Sequence, residues 1–72
     1  MRTMYKDTLE TMFAKQWTDI MTDKVWDVWE LIGCADLDSD VMYQYIAEVT
    51  NESTDVEAIS MAVYLFILDK VK

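Results

Sequence analysis

A chain of 72 residues with 14 acidic and six basic side chains and a formal charge of −8 has room for one domain, residues 1–72, and at this size buries only about 60% of the surface it exposes when unfolded. That charge repels anionic lipid and the phosphate backbone, which sets aside direct nucleic-acid binding and membrane-surface binding. No histidine, a single glycine and a single cysteine rule out a Ser/His or Cys/His nucleophile pair, a phosphate-cradling loop and an internal disulfide.

With no proline and Gly33 as the sole glycine, hairpin chemistry is nearly absent and helix is the default. Leu9, Met12, Phe13, Trp17, Ile20 and Met21 recur at three- and four-residue spacings and predict a first helix from about Tyr5. Met21, Val25, Val28 and Ile32 continue the stripe. Residues 5–32 therefore read as one continuous helix or as two helices jointed near Thr22 and Asp23, both N-cap residue types. The joint is favoured, because an unbroken helix would extend roughly 42 Å at about 1.5 Å per residue, long for a monomer of this size. Gly33 is placed to end the region as a left-handed C-terminal residue.

Leu37 and Met42 stand at staple positions around Asp38 as N-cap, opening a helix through Tyr45, Ile46 and Val49 that Asn51, Glu52 and Ser53 break. Thr54 and Glu57 form a capping box for a last helix to about Val71, whose Lys70 and Lys72 suit the negative end of its dipole. Ala62 to Leu68 also has strand-like composition, but no second β-prone segment can pair with it. The expected fold is all-α, a compact bundle of three to four helices.

The chain lacks the parts of an enzyme, and no cofactor or metal is expected. Asp36, Asp38 and Asp40 alternate as calcium ligands do. The sixth position of that loop is Val41 where an EF-hand needs glycine, and the twelfth is Ala47 where it needs glutamate, so helix capping is the better account. The longest apolar run, Ala58 to Leu68 with Ser60 inside it, falls short of the roughly 20 residues of a membrane span. The opening Met1-Arg2-Thr3 has no charged-then-apolar leader after it, and the lone Cys34 suits a reducing compartment, so a cytoplasmic location is expected, the host cytoplasm for a viral protein.

Two features point outward. Between Lys24 and Lys70 there is no Lys or Arg, although acids run throughout that stretch. Helix starts and solubility account for some of them, yet ordinary helical surfaces intersperse both signs. The second feature is Trp26. It falls off the apolar stripe and aligns with Asp23 and Glu30, and with Asp19 if the helix is continuous, as an interface anchor ringed by carboxylates would. The plain alternative is that another helix covers it. The last helix carries Ile59, Val63, Phe66 and Ile67 on one side and Met61, Tyr64, Leu65 and Leu68 on roughly the opposite side, which makes it either the central helix of the bundle or a homodimer seam.

The leading expectation is a stoichiometric inhibitor that presents Asp23, Trp26, Asp27, Glu30 and the Asp36, Asp38 and Asp40 group to a basic surface of a partner protein, such as the nucleic-acid groove of an enzyme. Small viral inhibitors of restriction or CRISPR machinery have this general character. The second expectation is a homo-oligomeric assembly or adaptor module that associates through Met61, Tyr64, Leu65 and Leu68. A third is an antitoxin-like neutraliser of a basic toxin, which calls for much the same surface.

Overall fold

The computed structural model describes residues 3–32 and 38–71, without the side chain of Thr3. The expectations placed on Gly33, Cys34, Asp36, Leu37 and Lys72 lie outside the described residues. Among the described residues five helices follow one another: α1, Thr3–Lys15; α2, Trp17–Ile20; α3, Asp23–Leu31; α4, Ser39–Thr50; and α5, Val56–Lys70. The all-α expectation holds, and Ala62 to Leu68 is helix.

The stripe through residues 5–32 is not a single rod, and extents of 31 × 21 × 17 Å leave no room for one. The expected joint is present. Met21 leaves helical geometry and Thr22 is extended at φ −69° and ψ 169°, with its carbonyl accepting from Trp26 N–H at 2.9 Å, although its side chain makes no capping bond. A second break precedes it. Gln16 adopts φ −122° and ψ 32° while its N–H still donates to Met12 O and its carbonyl still accepts from Ile20 N–H. The chain therefore changes direction with those backbone groups still paired.

Asp38 caps α4 as expected, its Oδ1 accepting from the backbone N–H of Asp40 at 3.0 Å and of Val41 at 3.4 Å. At the other end Asn51 and Glu52 both take left-handed conformations, φ 56° and 57°, and Glu52 N–H donates back to Ala47 O at 2.9 Å. That six-to-one bond is the Schellman way of satisfying the orphaned carbonyls of a helix end. The predicted cap of the last helix is one residue off: Asp55, not Thr54, occupies the N-cap and accepts from Glu57 N–H, while Ser53 Oγ accepts from Asp55 N–H. An extended Asp55 aims its carboxylate at the free amides of the first turn, the geometry assigned to Thr54.

The helix α5 is central. It packs on α2, α3 and α4, while α1 packs on α2 and α4. Ile59, Ala62, Val63 and Ile67 of α5 are fully enclosed and meet Leu9, Ile20, Val25 and Ile46 from the surrounding helices. Burial of each large aliphatic side chain is worth about 1.5–3 kcal/mol. Two polar bonds tie this core together. Ser60 Oγ donates to Ile20 O at 2.7 Å, closing the C-terminal end of α2 onto α5. Tyr5 OH donates to Ser53 O at 2.6 Å, fixing the start of α1 to the α4–α5 turn.

Candidate protein-docking face

The break at Gln16 sets the position of Trp17. In the sequence pattern Trp17 belonged to the core stripe. In the structure it is 42% exposed, because the turn carries Ile20 and Met21 inward against α5 and leaves the indole outside. There it stands edge-on to Trp26 at a centroid distance of 6.0 Å and 76°, and tilted against Phe13 at 6.2 Å. Trp26 in turn meets Trp29 edge-on at 6.4 Å, and Phe13 meets Tyr43 of α4 at 5.7 Å. Five rings from four helices thus form one continuous ridge, Tyr43, Phe13, Trp17, Trp26 and Trp29. Aromatic pairs at such distances contribute about 0.5–1.5 kcal/mol each beyond their buried area, which favours this arrangement of the rings.

Trp26 is 38% exposed. Its cover is partial and comes from a neighbouring helix through Trp17 of α2, and from Trp29 of its own helix. On α3, Val25 and Val28 point into the core while Asp23, Trp26, Asp27 and Glu30 lie outward at three- and four-residue spacings, so these four predicted residues share one exposed face. Among the described residues no Lys or Arg forms an ion pair with Asp23, Asp27 or Glu30. Asp19, aligned with Trp26 if the helix were continuous, instead lines a cleft with Lys24, Glu57, Met61 and Tyr64.

Of the remaining predicted acids Asp36 lies outside the described residues, and the other two have work inside the molecule. Asp38 caps α4, and the exposed Asp40 pairs with the partly buried Lys6 of α1 at 2.7 Å. The pair sits at the Tyr43 end of the ridge. Its hydrogen bond and charge hold Lys6 above its ordinary 10.5, with Glu10 and Asp7 adding to the effect. Partial burial, and then the nearby Glu10, push the Tyr43 phenol above 10.0, against a smaller opposing pull from Lys6. A cation from outside the acidic stretch in sequence is therefore folded back onto it.

No protein-family model, curated protein or solved structure matches the chain.

The second apolar side of α5 is half covered. Tyr64 and Leu68 pack on the core, whereas Met61 is 49% and Leu65 39% exposed. Lys24 Nζ lies 4.4 Å from the Tyr64 ring centroid and closes one flank of this side. No helix among the described residues is long and apolar enough to cross a membrane, and no group of three or more His, Cys, Asp or Glu side chains among them is arranged to hold a metal ion.

Residue spacing identified Trp26 and its three acids. It missed Trp17, Phe13, Tyr43 and Trp29 as members of the same surface, because the turn at Gln16 that exposes Trp17 has neither glycine nor proline to announce it.

Proposed function

We propose that this protein is a non-catalytic, stoichiometric inhibitor that covers a basic surface of a partner protein with the Trp17 and Trp26 ridge and the carboxylates of α3. One observation carries the reading: two half-open indoles stand edge to face, and the one on α3 shares its helix face with three carboxylates that form no ion pair among the described residues. Large aromatic anchors ringed by charge supply affinity at their centre and steer a partner of opposite sign at their rim. A groove built for a nucleic-acid backbone suits this face, since carboxylates and phosphates are read by the same Lys and Arg side chains. Cytoplasmic action accords with such a target.

The test is a side-by-side capture from the source cell with three baits: the natural chain, Trp26→Ala, and Asp27→Lys with Glu30→Lys. The expected result is a protein held by the natural chain, lost from both variants, and displaced by excess DNA or RNA. Retention by both variants, with unchanged helicity, refutes the reading.

A second reading has its own observation. Met61 and Leu65, exposed on α5, favour self-association through that side. Light scattering at tens of micromolar separates the two, since a strict monomer removes the assembly reading and leaves the inhibitor reading intact.

A further inference from the structure

We infer that the occupant of the aromatic ridge is an arginine-bearing segment of the partner, no more than about seven extended residues long, and that the ridge distinguishes it from a lysine-bearing one. This rests on the docking reading above and narrows it. Trp26 lies three residues after Asp23, one before Asp27 and four before Glu30, so its indole has carboxylates on either side along one helix face. A planar guanidinium can lie on an indole and at the same time donate two parallel N–H bonds to a carboxylate beside it. A lysine ammonium is a compact, strongly hydrated point charge that satisfies the ring or the carboxylate less completely.

The chain's own cations show the ammonium mode elsewhere. Lys24 sits 4.4 Å from the Tyr64 ring centroid and Lys70 5.0 Å from that of Phe66. Among the described residues no cation lies over Trp17 or Trp26, the most exposed rings of the ridge. Length follows from the ring spacings. Steps of 5.7, 6.2, 6.0 and 6.4 Å separate successive rings, so the ridge runs at most roughly 24 Å, which about seven extended residues span at about 3.3–3.6 Å each. The carboxylates without a described cation stand at the α3 end of the ridge, Asp23, Asp27 and Glu30, whereas the Tyr43 end already holds Lys6 paired with Asp40, so the arginine meets the ridge at Trp26.

The experiment uses the full chain and two seven-residue peptides, one with arginine at alternate positions and serine between, the other with lysine in place of arginine. Binding is followed by quenching of tryptophan emission and by calorimetry, at low salt and at about 0.15 M salt. The expected result is arginine binding about fivefold tighter than lysine, with the preference abolished in Trp26→Leu and both affinities lowered in Asp27→Asn with Glu30→Gln. Equal affinities, or tighter lysine binding, overturn the arginine inference and leave the docking reading standing. An arginine preference that survives Trp26→Leu overturns the role of the ridge. Failure of both peptides to bind at low salt overturns the docking reading together with this inference.

Discussion

Ser60→Ala tests whether one hydroxyl holds the exposed edge of the ridge in place. Ser60 Oγ donates to Ile20 O at 2.7 Å inside the core, and Ile20 is wholly enclosed. That carbonyl closes a helix of only four residues, where it has no continuing turn to accept from. A single helical turn is not stable by itself, so α2 depends on its burial and on this bond. Removing the hydroxyl strands a buried acceptor at a cost of about 1–3 kcal/mol, against a total stability of roughly 4–11 kcal/mol for a chain of this length. Melting should fall by about 4 °C or more, since each kcal/mol moves a domain of this size by about 4–8 °C. Urea unfolding followed in parallel by far-ultraviolet circular dichroism and tryptophan emission measures both the loss and its location. Before global unfolding, the emission of the variant should already shift toward that of solvated indole, because Trp17 opens the same α2 turn. A loss below about 0.5 kcal/mol with unchanged emission would refute the assignment of Ser60 as the tie between α2 and α5.

Three further outcomes follow from the helix ends and the alkaline titrations. Asn51→Ala should lower stability by about 1 kcal/mol because alanine resists the left-handed conformation, whereas Asn51→Gly should not, with urea midpoints as the measure. Asp38→Ala should cost about 0.5–2 kcal/mol by freeing the amides of Asp40 and Val41, visible as a lower melting temperature. Lys6 and Tyr43 both hold their protons more tightly folded than unfolded, so their stabilisation is present below 10.5 and 10.0 respectively and is lost as pH rises through their raised folded values. Urea midpoints should therefore decline above about pH 10, and the decline should be shallower when Lys6→Met is combined with Tyr43→Phe, which removes both titrations.

Much of the fold was legible because it was written in local chemistry. Asp38 and its following amides, the Asn51 to Ser53 break and the apolar spacing of α5 each need only a few neighbouring residues to be read. The joint at Thr22 was legible for the same reason. Its companion at Gln16 was not, since Ala14, Lys15 and Gln16 are good helix formers and the turn is driven by Ile20 and Met21 reaching a helix some forty residues away. Trp17 was lost to the core stripe as a direct result. Asp40 was grouped with the acids free to meet a partner, and its pairing with Lys6 depends on α1 lying beside α4, which no local pattern encodes. The shared face of Asp23, Trp26, Asp27 and Glu30 was legible because it needs nothing beyond helical geometry.

The place of α5 in chain order bears on how the protein is made. Leu9, Ile20, Val25 and Ile46 belong to one core with a helix spanning Val56–Lys70, and a ribosome releases that helix after the four others. Until then α1 can pack only on α2 and α4, and the apolar faces that α2, α3 and α4 turn towards α5 stay in contact with solvent and with any chaperone at the tunnel exit. The nascent chain therefore gains its protection from proteases in a single late step. An N-terminal fragment that stops short of Ile59 should be degraded in the cell, while the whole chain persists.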